Sequence, residues 1–170
     1  MSAPLPRWID PYELVADRAR LVGRVPAASM GRLAGLVEAL PEAVSVDLAF
    51  GLDAERHCTV TGRVEATVVL LCQRCLRPFE AVLASEVSLA LVRDEAAAPA
   101  LPERYDPLVA AGRIALGDLV EDELILALPV VARHEVCEPP VPLAGEAVSP
   151  RRANPFAVLA RLRREDGESS

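Results

Sequence analysis

The chain is 170 residues long, 52% hydrophobic and 25% charged, proportions of a globular protein of about one domain with appendages. All 18 of its basic residues are arginine, which excludes Schiff-base catalysis and the lysine-bearing phosphate loop, since both need a primary amine. A net charge of −7 repels polyphosphate on average, and the few scattered aromatic residues make no stacking platform, so any nucleic-acid contact needs a local arginine patch.

No apolar run reaches the ~20 residues of a bilayer span, and Met1–Arg7 has no hydrophobic stretch of signal-peptide kind. A soluble, cytoplasmic protein without membrane contact is the expectation. Asp10-Pro11-Tyr12-Glu13 predicts a short N-terminal helix, with Asp10 as cap, Pro11 at the first helical position and Glu13 placed for a capping box. Residues 21–25 read as extended. A second helix is predicted over residues 27–40, weakened by Gly31 and Gly35 and ended by Pro41.

The clearest pattern follows. Over residues 44–52 the even positions are Val44, Val46, Leu48, Phe50 and Leu52, alternating with small or charged residues. A period of two buries one face of a strand. Asp53-Ala54-Glu55-Arg56 reads as a hairpin turn. Residues 57–71 keep the alternation, with Cys58, Val60, Val64, Ala66, Val68 and Leu70 inward, and residues 79–92 place Phe79, Ala81, Leu83, Val87, Leu89 and Leu91 on one face. Three long amphipathic strands with short links predict an antiparallel β-meander covered on one face.

Residues 94–113, rich in alanine, proline and charge, read as a long loop. Leu119, Val120, Leu124 and Leu128 then mark an amphipathic helix closed by Pro129. Four prolines at 139, 140, 142 and 150 predict a linker over residues 138–153. Asn154-Pro155 opens a helix over 154–164 with Phe156, Leu159 and Leu162 on one stripe, and residues 165–170 are expected to fray. The predicted fold is α+β: a meander packed with N-terminal, acidic and C-terminal helices, residues 1–137 forming a single domain.

Cys72-Gln73-Arg74-Cys75 falls between the second and third strands. Two thiols spaced by two residues across a tight turn can face one ion, or can form a redox pair. His134-Glu135-Val136-Cys137 offers a nitrogen and a sulfur at similar spacing. Together Cys72, Cys75, His134 and Cys137 would make a Cys3His site, matching structural Zn2+ in ligand number and softness. The plainer reading makes His134 and Cys137 ordinary loop residues. Cys58 lies in the inward phase of its strand and reads as a buried, inert thiol. A Cys137–His134 nucleophile–base pair has no third orienting group and no oxyanion site to support it.

Glu121-Asp122-Glu123 occupies consecutive helical positions spread over about 200° of the helix surface, so the three carboxylates do not converge. They read as a solvated face or as a patch binding a basic protein. Arg151, Arg152, Arg161, Arg163 and Arg164 form the one evident basic concentration. They suit the C-terminal helix dipole and also suit RNA phosphates.

The order of three segments resembles the YceD family, the large ribosomal RNA subunit accumulation proteins of bacteria and plastids. These are Cys72-Gln73-Arg74-Cys75-Leu76-Arg77-Pro78-Phe79, then the run from Val120 to Val131, and Asn154-Pro155-Phe156-Ala157-Val158-Leu159. Cys137 stands where the family has a cysteine after the second segment. The resemblance covers nearly the whole chain. It implies a non-enzymatic ribosome biogenesis factor needed for accumulation of large-subunit (23S) ribosomal RNA, with the family pattern falling on Cys72, Cys75 and Cys137 and on the acidic helix. Its partner would be pre-ribosomal RNA or a ribosomal protein. Zinc follows from ligand chemistry and not from the family. The alternative from another class is a thiol redox or metal-sensing protein using Cys72 and Cys75.

Overall fold

A computed structural model describes residues 5–140. The linker from residue 141 onward, the helix expected at 154–164, the tail and all five C-terminal arginines lie outside the described residues. The elements in chain order are β1 (Trp8–Ile9), α1 (Pro11–Ala16), β2 (Arg20–Pro26), α2 (Gly31–Ala34), β3 (Ala43–Leu52), β4 (Cys58–Leu71), β5 (Pro78–Val92), β6 (Asp106–Val109), β7 (Ile114–Ala115) and α3 (Leu116–Leu126).

Four sequential antiparallel strands, β2 to β5, form the meander, and β6 extends it by pairing parallel to β5. The expected α+β architecture is thus present, with one strand more at each edge than the three long amphipathic runs announce. The alternation does the work anticipated of it. Val44, Val46, Leu48, Phe50, Val60, Val64, Val68 and Leu70 are all buried, and α3 covers this face against β4 and β5 with Leu116, Val120 and Leu124. The opposite face carries cross-strand ion pairs, Arg20 with Asp47 at 2.7 Å and Arg63 with Glu65 and Glu86 at 2.9 and 2.5 Å. Gly62 pairs opposite Leu48 at φ 148°, where a Cβ would sit 2.0 Å from the Asp47 carbonyl oxygen. No other residue fits so close an approach between β3 and β4.

Asp10 caps α1 as expected, its Oδ1 accepting from the amides of Tyr12 and Glu13. Three expectations are corrected. The long helix over 27–40 is instead a 3-10 turn, Ala27–Ser29, followed by the four-residue α2. Gly31 and Gly35 give too little helical preference to propagate through it, and Ala39 bridges to Val69 of the sheet. The loop at 94–113 contains a 3-10 turn, Glu95–Ala100, and β6. Pro107 conceals that strand in the sequence, yet an edge strand tolerates a residue that cannot donate to a ladder. Cys58 is half-buried at the start of β4, packed against the core margin and not enclosed by it. Among the described residues no helix is long and apolar enough to cross a membrane.

Candidate metal centre

β4 runs into β5 through a tight turn. The Cys72 amide donates to the Arg77 carbonyl at 3.0 Å and the Leu76 amide to the Cys72 carbonyl at 2.9 Å. Leu76 adopts φ 57°, a left-handed conformation that costs a branched residue roughly 1–2 kcal/mol. The turn buries both thiols, Cys72 fully and Cys75 to 6% exposure. Beyond α3 the chain comes back to this turn, where the Gln73 amide donates to the Ala132 carbonyl at 2.8 Å. That contact brings the two halves of the sequence motif together.

Cys72 Sγ lies 3.8 Å from Cys137 Sγ, and Cys75 Sγ lies 3.3 Å from His134 Nδ1. All four ligand atoms fall within 4.8 Å of one another, close enough to hold one metal ion. A tetrahedron with Zn–S near 2.3 Å and Zn–N near 2.0 Å has S···S edges of about 3.8 Å and S···N edges of about 3.5 Å. The Cys72–Cys137 and Cys75–His134 separations, 3.8 and 3.3 Å, are close to these edges, whereas a disulfide would bring two sulfurs to about 2.05 Å. The donor set fits a soft or borderline tetrahedral cation. The Phe79 ring, 4.7 Å from the imidazole and tilted by 41°, packs His134 in place.

Electrostatics within the group divide the thiols. Burial works to raise the Cys72 pKa, but backbone N–H groups of Cys75, His134 and Arg74 and the His134 side chain outweigh it, lowering the thiol to about 5. One of these donors, the His134 amide, is 3.4 Å from the sulfur. A thiolate so held is a prepared metal ligand. Cys137 is pushed up, by burial and then by the neighbouring Cys72 and Cys75 sulfurs. That is the wrong direction for a nucleophile, and the His134 Nδ1 atom sits beside Cys75.

The acidic triplet behaves differently from the solvated face expected of it. Glu121 and Glu123 are buried, at 3% and 8% exposure, and Glu121 and Asp122 meet on one guanidinium, that of Arg32, while Glu123 turns to β5. Glu121 Oε1 accepts the amides of Arg32 at 2.7 Å and Leu33 at 2.9 Å, while its Oε2 pairs with the Arg32 guanidinium. Burial works to raise the Glu121 carboxyl, and the Leu33 amide and the Arg32 groups overcome it, giving a lowered pKa. Glu123 accepts from Ser85 Oγ at 2.7 Å, satisfying the one hydroxyl that β5 turns toward α3. Asp122 is exposed and pairs with Arg32 at 2.6 Å. The triplet ties α3 to α2 and to β5.

A second cluster, Asp53, Glu55 and His57, lies at the other end of β4 and is not evident from sequence. Asp53 Oδ2 is 2.9 Å from His57 Nδ1 and 3.0 Å from Arg104, which also pairs with Glu55. The i, i+4 spacing of Asp53 and His57 across a predicted turn is the signal that could have disclosed part of it. Arg104 gives no such signal.

Fold and site together define a small α+β protein whose longest hairpin carries a Cys3His cluster at its tip. The chain belongs to the YceD family: the family profile described as "Large ribosomal RNA subunit accumulation protein YceD" matches residues 60–163. It is 37% identical over 169 residues to the Large ribosomal RNA subunit accumulation protein YceD of Haemophilus influenzae, covering 95% of this chain and 97% of that protein. No solved structure matches.

Proposed function

We propose that this protein is a non-enzymatic factor in ribosome assembly that supports accumulation of large-subunit (23S) ribosomal RNA, and that Cys72, Cys75, His134 and Cys137 hold a structural Zn2+. The observation that carries the role is family membership over nearly the full length, with a relative named for that function. The zinc reading rests on four ligand atoms within 4.8 Å at separations suited to a tetrahedron. Bound there, zinc would clamp the segment after α3 to the β4–β5 turn. A docked, rigid surface is what a binding protein needs.

Of the two partner classes, RNA is the better supported. A basic ribosomal protein would have to meet the acidic triplet, yet Glu121 and Glu123 spend their carboxylates inside the fold. Arg151, Arg152, Arg161, Arg163 and Arg164 remain proposed phosphate contacts. Deleting the gene should lower the ratio of large- to small-subunit ribosomal RNA and the yield of mature large subunits on sucrose gradients. Wild-type protein should restore both, and Cys72→Ala with Cys75→Ala should not. Unchanged subunit ratios in the deletion strain would refute the role.

The lowered Cys72 thiol also suits a thiol redox or metal-sensing protein using Cys72 and Cys75. Such pairs usually open a helix, whereas this one links two strands. Thiol titration with and without a chelator separates the readings. Zinc-held thiolates react only after the metal is withdrawn, while a redox pair reacts at once.

A further inference from the structure

Most arginines of the described fold, Arg7, Arg18, Arg24, Arg56, Arg93 and Arg113 among them, are in no ion pair with a described residue, so clustering and not the lack of a partner marks out a cationic surface. Arg20, Arg32, Arg63 and Arg104 each pair with one or two carboxylates. Arg74 and Arg77, in the β4–β5 turn, and Arg133, on the segment docked to it, are all exposed. Among the described residues, none of these three lies within ion-pairing distance of a carboxylate. Arg74 and Arg133 line one open recess of about 400 Å³ together with His134 and Glu135. The same two segments expose Leu76, Val131 and Val136 at 60%, 57% and 91%. Cations and apolar side chains are therefore interleaved on a surface that the cysteines and His134 hold together.

We propose that this knuckle surface is an RNA-binding site in which Arg74, Arg77 and Arg133 contact backbone phosphates. The inference deepens the ribosomal-RNA reading above and is separate from the C-terminal arginines. Charge complementarity selects the ligand. In an assembling large subunit the RNA supplies the phosphates, whereas most ribosomal proteins are basic and would be repelled here. The chain as a whole is acidic, so attraction has to be local, and in the recess two guanidinium groups face one carboxylate, Glu135. Compact metal-held knuckles are a recurrent way to present such contacts to RNA.

The test uses the full-length zinc-loaded protein and in-vitro transcribed fragments tiled along the large-subunit ribosomal RNA, with binding read by fluorescence anisotropy over a salt series. The variant Arg74→Ala/Arg77→Ala/Arg133→Ala should weaken the best fragment about tenfold or more. It should also flatten the slope of log affinity against log salt by about 2, the share of three phosphate contacts. Zinc content and thermal midpoint should stay at wild-type values, because all three side chains are exposed. A second variant changes Arg151, Arg152, Arg161, Arg163 and Arg164 to Ala. If the C-terminal variant loses all affinity and the knuckle variant none, the inference is overturned and RNA binding is assigned to the C-terminal segment. If wild-type protein binds no fragment and a basic ribosomal protein instead, the inference falls while the accumulation role stands. Normal subunit ratios on gene deletion, with RNA binding intact in vitro, would instead remove the biological role and leave the surface.

Discussion

The two turns that bracket β4 satisfy the same geometric condition with opposite chemistry. At one end, Asp53, Glu55 and His57 gather potential metal ligands, and Arg104 neutralises them from a distant loop. At the other, Cys72, Cys75, His134 and Cys137 gather four ligands with no guanidinium in ion-pair or hydrogen-bond contact among the described residues, and three of them are sulfurs. Closeness alone does not make a metal centre. What separates the turns is the source of compensating charge: a cationic side chain within the fold for the carboxylates, and, on the zinc proposal, an external cation for the sulfur ligands. β4 is 14 residues long, placing the turns about 45 Å apart along the strand, so their contributions should be additive.

This contrast can be broken by substitution. The largest effect is expected at the sulfur turn. Cys75→Ala or Cys137→Ala should abolish zinc retention and release the segment after α3, read as lost hydrogen-exchange protection of the Gln73 amide. Asp53→Asn should leave that amide protected; a shared loss would mean the turns are coupled. Gly62→Ala, in β4 between the two, should cost roughly 3 kcal/mol in urea unfolding through strain and the clash with the Asp47 carbonyl. Zinc content of the folded fraction should be unchanged. Glu121→Gln should cost about 2 kcal/mol, since the buried carboxylate serves two amides and a guanidinium, and it too should leave the metal in place.

The smallest effect is expected at the carboxylate turn and appears as pH dependence. Partial burial works to raise the Asp53 carboxyl, but the His57 ring and amide and the Arg104 guanidinium outweigh it and hold the pKa well below the usual range. A depressed folded-state pKa stabilises the protein fully above the unfolded carboxylate value of about 3.9, and the contribution is lost as pH falls through the folded value. Asp53→Asn should therefore lower the thermal midpoint at neutral pH and make the loss of stability below about pH 4 shallower. An identical acid limb in both proteins would contradict the pairing.

The strands were legible because one buried face imposes a period of two, which Val44 to Phe50 repeat throughout and Val60 to Leu70 repeat with one break, at Gly62. The four candidate ligands were legible as two pairs from the chemistry of their spacing. Their meeting depends on a backbone contact, Gln73 to Ala132, for which side-chain pattern carries no signal. The acidic triplet misled for a related reason. Consecutive carboxylates resemble a solvated face unless the partners are known, and those partners, Arg32, Leu33 and Ser85, come from other elements. The strand β6 was hidden by Asp106 and Pro107, residues that only an edge accommodates. Glycines 31 and 35 correctly weakened a helix whose remaining apolar positions still favoured it.

The central claim is that the hairpin tip is a zinc-clamped binding surface. X-ray absorption at the zinc edge of freshly purified full-length protein tests it most directly. The account predicts one zinc per chain with three sulfurs near 2.3 Å and one nitrogen near 2.0 Å. Protein that carries no zinc, whose Cys72 and Cys75 react with a thiol reagent at once without chelator, would contradict it.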